Sequence, residues 1–261
     1  MRALVTNDDG IDSPGLAPLV DVARAAGYDV VVAAPATEHS GASAALFGID
    51  AKGRVAVERR RAPGVADDVD CWAVGGAPAL VAFLAAHDAF GPRPDVVLSG
   101  VNWGPNTGHA VLHSGTVGAA LAALTFGIRA MAVSSGAHRP RHWATAGLVA
   151  AHALRWLEGR PAGEGVLNVN VPDVPAELLR GVRVAPLAPF GVVEARVERH
   201  LGEDGVGGEL QLGYSGLDVG DDATSDAGLL AAGWATVTTL QAPWAVPSVA
   251  FPETDGPPPA R

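Results

Sequence analysis

Apolar runs separated by helix-length stretches narrow this chain to one kind of architecture. Ala3-Leu4-Val5-Thr6, Tyr28 to Ala34, Asp95 to Ser99 and Ala130 to Ser134 read as strands without the regular in–out alternation of a half-solvated sheet. Val166 to Val171 is a further strand. Between them, Leu16, Leu19, Val20 and Ala23 recur at helical spacing before a stop at Gly27. Pro78–Phe90, Ser114–Phe126 and His142–Leu157 also read as helices. Such strands alternating with helices imply an α/β fold, with a mostly parallel sheet covered on both faces.

The pattern changes after about Pro186. Val192–Val197 and Glu209–Tyr214 alternate, with a glycine-rich turn at Gly202–Gly208, and predict a long antiparallel hairpin. A helix near Asp226–Ala232 and a strand at Ala235–Leu240 return to the main pattern. Residues 36–70 are ambiguous, apart from an edge-strand pattern at Arg54–Glu58. The expected organisation is one domain over 1–251, with a hairpin arm at about 190–216 and a Pro-rich, disordered tail at 252–261.

Composition excludes several functions. With 18 Lys+Arg against 28 Asp+Glu the net charge is −10, and Lys52 is the only lysine. A nucleic-acid polymer is therefore an unsuitable partner, because its phosphates must be neutralised by Lys and Arg. The single cysteine, Cys71, can form no internal disulfide or thiolate metal cluster. No apolar run reaches the ~18 residues of a spanning helix, so no membrane association is expected. The N-terminus turns acidic at Asp8 before a signal-peptide core can form, and the expected location is the cytoplasm.

In a doubly wound sheet, ligands bind in the loops beyond the carboxyl ends of the strands. Those loops carry Asn7, Asp8, Asp9 and Asp12; then Thr37, Glu38, His39, Ser40 and Ser43; then Asn102, Asn106, Thr107, His109 and His113. Adjacent carboxylates at a strand end repel unless a cation lies between them. Asp8 and Asp9 read equally well as a hard-cation site or as a solvated acidic turn with Asp12 capping the next helix. Ser99–Gly108, with three glycines and two asparagines, permits close backbone approach to a ligand. The helix start at His113-Ser114-Gly115-Thr116-Val117-Gly118 offers an anion site, or simply a Ser114 cap. There is no G-x-S-x-G elbow, P-loop, post-strand G-x-G-x-x-G or H-E-x-x-H.

Thr6-Asn7-Asp8-Asp9-Gly10-Ile11-Asp12-Ser13-Pro14-Gly15-Leu16 resembles the N-terminal signature of the SurE family of stationary-phase survival nucleotidases. Pro35 with Ser40-Gly41-Ala42-Ser43 resembles its second motif, and Pro94–Asn102 with Gly104, Asn106 and Gly108 its third. Ser114–Ala120 and Leu167–Asp173 match as well, so the likeness runs in order over roughly residues 1–240. It implies a Rossmann-like three-layer αβα sandwich with a C-terminal β-hairpin arm used in a homodimer or homotetramer. It also implies one divalent metal ion, Mg²⁺ or Mn²⁺ with Ca²⁺ as a substitute, and a small phosphorylated substrate. By this resemblance Asp8, Asp9, Ser40 and Asn102 are the metal ligands, with Asp8 and Asp9 also catalytic. Asn7, Ser43, Asn106, Ser114, Gly115 and Thr116 bind substrate or phosphate, and His39, Trp103, His109 and His113 shape the pocket.

The chain also departs from the family pattern. Thr37 stands in place of a usual Arg, His113 replaces a usual Tyr, and His109 stands where an acidic residue is common. Trp103 occupies a variable position that more often holds a small or basic residue. The expected function is a metal-dependent phosphomonoesterase of the 5'-nucleotidase kind. The alternatives are a phosphatase of a non-nucleotide metabolite, a nucleoside hydrolase-like glycosidase, and a noncatalytic nucleotide-binding homologue.

Overall fold

A parallel strand buried on both faces needs helices on either side of it, and the chain supplies them in alternation. The computed structural model describes residues 1–189, 194–201, 208–215 and 222–241. In chain order the elements are β1 Arg2–Thr6, α1 Leu16–Ala25, β2 Asp29–Pro35, β3 Val57–Arg59, β4 Asp70–Val74 and α2 Pro78–Ala86. They continue with β5 Val96–Asn102, α3 Gly115–Thr125, β6 Arg129–Ser135, α4 Trp143–Glu158 and β7 Val166–Val171. The last are β8 Val182–Val184, β9 Glu194–Leu201, β10 Gly208–Ser215, α5 Asp226–Ala231 and β11 Ala235–Leu240.

Nine strands form one sheet in the order β3-β4-β2-β1-β5-β6-β7-β11-β8. All its pairings are parallel except β3 with β4 and β11 with β7. The chain runs outward from β1 through β2 to β4, then returns to lay β5 against the other side of β1. That reversal opens a crevice at the carboxyl ends of β1 and β5, where doubly wound sheets bind ligands. The α/β expectation is met.

The strands divide one core into two. α1 and α4 cover the face carrying Ala3, Val5 and Leu98, while α2 and α3 cover the face carrying Leu4, Val97 and Ala130. Leu4, Leu16, Leu19, Leu80 and Leu98 are fully buried, and burying each such side chain contributes roughly 1.5–3 kcal/mol. Close packing extends to the backbone beside the crevice. The Val101 N–H donates to the Gly15 carbonyl at 2.8 Å. A Cβ on Gly15 would come within 2.3 Å of the Val101 carbonyl oxygen. This contact fixes the start of α1 against the end of β5.

Some boundaries differ from the sequence reading. The expected edge strand at Arg54–Glu58 is β3 at Val57–Arg59, paired with β4, a strand at Asp70–Val74 that the sequence pattern did not mark. β5 runs on to Asn102, and α2 stops at Ala86 instead of Phe90. Beyond the main sheet, Glu194–Leu201 pairs with Gly208–Ser215 as antiparallel strands. Val192 and Val193, most of the expected turn, and the 252–261 tail lie outside the described residues. Among the described residues no helix is long and apolar enough to cross a membrane.

Candidate functional site

The loop after β1 is shaped by its own first residue. The Asn7 side chain donates to the Gly10 carbonyl at 3.0 Å and accepts from the Gly10 N–H at 3.1 Å. Gly10 has φ +98°, the left-handed region that glycine enters without a Cβ penalty. Asn7, expected to bind substrate or phosphate, is fully buried, and both its side-chain polar atoms serve the turn.

This turn drives Asp8 inward. Asp8 is 4% exposed. Its Oδ1 accepts a short hydrogen bond from the Thr116 hydroxyl. Burial pushes the Asp8 carboxyl up, while hydrogen bonds from Thr116 and the Gly115 backbone pull it down. The fit is close: a Cβ on Gly115 would lie 2.9 Å from Asp8 Oδ2. The amino end of α3 therefore accommodates a protein carboxylate. Gly115 and Thr116, expected to face phosphate, face Asp8.

Asp9 is less enclosed. Burial and the neighbouring Asp8 charge push its carboxyl up to about 7, with Glu38 adding to the rise and the Trp103 N–H opposing it. That N–H donates to Asp9 Oδ2 at 3.3 Å. Ser40 Oγ donates to Glu38 Oε1 at 2.7 Å, leaving its lone pairs available. Asn102, at the end of β5, donates from Nδ2 to the Gly104 carbonyl at 2.7 Å, which leaves its Oδ1 as the acceptor it can offer.

Asparagines fix the next part of this loop. The Asn106 N–H donates to Asn170 Oδ1 at 2.8 Å, and the Asn106 carbonyl accepts from Asn168 and Asn170 Nδ2 at 2.8 and 3.0 Å. Asn106 Nδ2 donates one hydrogen to Ser134 Oγ at 2.8 Å and keeps a second. Ser114 caps α3, accepting from the Val117 N–H at 3.1 Å, so its own hydroxyl hydrogen stays available.

These groups border a cavity of about 630 Å³. Asp8, Asp9, Ser40, Asn102, Trp103, Asn106, His113 and Ser114 line it; Asn7, His39, Ser43, His109, Gly115 and Thr116 do not. The His39 ring packs on Phe47, and the His39 backbone N–H donates to the Asp8 carbonyl at 2.7 Å. Ser43 Oγ donates to the Leu112 carbonyl at 2.7 Å, and His109 lies exposed in the 3₁₀ turn Gly108–Leu112. Asp12, Glu38 and His138 also line the cavity but were not among the expected site residues. His138 follows β6 and packs under Gly104, where a Cβ would come within 2.6 Å of its Nδ1. Extending the strand-end rule to the loop after β6 identifies it.

Among the described residues, four carboxylates and no Lys or Arg line the cavity. Among the described residues no three His, Cys, Asp or Glu side chains converge as a ligand cluster. The lining offers oxygens of three kinds: the Asp8 and Asp9 carboxylates, the Asn102 amide oxygen and the Ser40 hydroxyl. Oxygen donors of this kind suit hard divalent cations.

Known proteins resemble this chain along most of its length. The model of the family "Survival protein SurE" matches residues 3–191. A 5'/3'-nucleotidase SurE of Photorhabdus laumondii is 34% identical over 243 residues, covering 92% of this chain and 90% of the relative. One from Cronobacter sakazakii is 40% identical over 185 residues, covering 70% and 68%. The crystal structure of the SurE protein from Aquifex aeolicus superposes with a TM-score of 0.76 at 26% identity, covering 92% and 93%.

The raised Asp9 carboxyl has a sign that can be checked. In the metal-free folded chain it keeps a proton up to about 7, whereas the unfolded chain releases it near 3.8. The folded state thus binds more protons across that interval, and stability falls as pH rises through it. The thermal midpoint in EDTA should drop between pH 5 and pH 8, and Asp9→Asn should flatten the slope. An equal slope in the variant would assign the effect to other groups.

Proposed function

The chain belongs to the SurE family, and on that premise we propose that it is a divalent-metal-dependent phosphomonoesterase of the 5'-nucleotidase type. Its substrate is a nucleoside monophosphate or a closely related phosphate monoester. The reading rests above all on Asp8 and Asp9, adjacent carboxylates pushed upward by burial at the crevice between β1 and β5. A cation relieves such a pair. Asp8, Asp9, Asn102 and Ser40 would hold Mg²⁺ or Mn²⁺. The ion, when bound, supplies polarisation of a phosphoryl oxygen and a lowered pKa for water.

The protein's own groups do the rest. Thr116 fixes the rotamer of Asp8, and Asp9, the more accessible of the two, orients the attacking water. The Ser114 hydroxyl and the second Asn106 amide hydrogen donate to nonbridging phosphoryl oxygens. His113 and His138 are the protonatable donors for the leaving oxygen. Because no Lys or Arg lines the cavity among the described residues, one phosphate with its metal is well accommodated and further phosphates are not. Trp103, 42% exposed beside Asn102, offers a flat surface to the leaving group.

Residues 1–251 act as one domain in this reading, with the arm at about 190–216 packing on a second copy in a homodimer or homotetramer. A two-stranded hairpin is marginal by itself in water. Light scattering at micromolar concentration should give at least a dimer, and a monomer would overturn this part.

Asp8→Asn and Asp9→Asn should each lower metal-dependent phosphate release by at least ~100-fold, since losing a ligand costs more than the 10–100-fold of a supporting residue. Both should also remove the rise in thermal midpoint on adding Mg²⁺ or Mn²⁺. Near-normal turnover in both variants at low Mg²⁺ would overturn the metal assignment.

Trp103→Arg should reorder a panel of monophosphates and improve di- and triphosphates, with little change in Mn²⁺ affinity. An unchanged ranking would make Trp103 a packing residue.

A further inference from the structure

A second carboxylate is buried away from the cation side of the cavity, and the reaction described above has no use for it. Asp226, the first residue of α5, has no solvent exposure. Its two oxygens accept from the Gly108 N–H at 3.2 and 3.0 Å, and one also accepts from the N–H groups of Ala188 and Ala227 at 2.8 Å each. Its own N–H donates to the Pro186 carbonyl at 2.9 Å. Burial pushes the carboxyl above its ordinary range, against the pull of these bonds.

Capping α5 does not require this. Ser225 already caps it, accepting from the Gly228 N–H at 3.2 Å. A carboxylate is an acceptor-only group, and N–H donors from three chain segments converge on Asp226. An asparagine there would turn an N–H₂ toward at least one of them. The position is thus built to gather Gly108, Ala188 and α5 around one anion. Gly108 lies two residues from Asn106, whose backbone is held from the opposite side by Asn168 and Asn170.

We propose that Asp226 is a positioning residue for the substrate side of the site: it fixes the 105–109 loop through the Gly108 N–H and so sets where Asn106 meets the phosphate. It acts through Asn106 and touches no reacting atom. The same carboxylate holds Ala188, on the segment leading to β9, so the root of the hairpin arm and the phosphate loop share one anchor. This rests on the phosphatase reading given above.

The test separates the two sides of the cavity. The cation-side residues Asp8, Asp9 and Asn102 sit at the ends of β1 and β5, outside the grip of Asp226. Asp226→Asn and Asp226→Glu should each lower kcat/KM for a nucleoside monophosphate by at least about tenfold, because small displacements of positioning groups carry costs of this size. Mn²⁺ affinity by calorimetry should stay within about twofold of the parent. Ser225→Ala, which weakens α5 without touching the carboxylate, should lower the thermal midpoint and leave kcat/KM unchanged. Equal losses in Mn²⁺ affinity and kcat/KM, or unaltered kcat/KM in both Asp226 variants well below their midpoints, would overturn the proposal. If the parent chain releases no phosphate from any ester, the phosphatase reading fails by itself. Positioning is then read from amide exchange: Gly108 and Ala188 should exchange at least about tenfold faster in Asp226→Asn, and unchanged exchange overturns it.

Discussion

Asp8 gives up nearly all its water where β1 ends, and the hydroxyl of Thr116 with the first amides of α3 replaces it. Desolvating a carboxylate is costly unless hydrogen bonds and favourable charge compensate. The compensation dictates much nearby. Residue 115 must lack a side chain, because a Cβ there would contact the Asp8 carboxylate at 2.9 Å. α3 must begin directly over the end of β1. β5 must lie beside β1, so that the chain leaving it can turn back into α3 with Asn102 still at the crevice. Close backbone contacts such as Gly15 on Val101 keep these ends in register.

Two kinds of polar chemistry meet in the cavity. On one side lie the carboxylates of Asp8, Asp9, Asp12 and Glu38, with no lysine or arginine among the described lining residues. On the other, donors such as Ser114 and Asn106 keep a hydrogen free because their remaining valences are committed to the protein. The second side is neutral, held by amides and by the distant Asp226 carboxylate.

The strand alternation, the crevice loops and the residues gathered there were legible in the sequence because each depends on local pattern. Buried strands read as apolar runs, and ligand loops follow strand ends. Asp8, Asp9, Ser40, Asn102, Asn106 and Ser114 all line the cavity as residue type and placement implied. His138 was reachable by the same rule, had the loop after β6 been included. β4 gives little signal because its apolar run, Cys71–Val74, is short and ends at Gly75-Gly76.

Which way each polar atom is committed was decided only by the tertiary structure. Asn7, Ser43, Gly115 and Thr116 carry the same labels in sequence as the lining residues, yet Asn7 bonds within its own turn, Ser43 to the Leu112 carbonyl, and Gly115 and Thr116 to Asp8. Asp226 reads as an ordinary helix-start acid, and only packing shows it accepting from Gly108, 118 residues away in sequence, and from Ala188. Sequence determined the architecture and the cast of polar residues, since hydrophobic period and strand-end position are local properties. The partner of each donor and acceptor is a long-range property, set where β1, β5, β6 and β7 come side by side. Local chemistry proposes those partners, and the fold allots them.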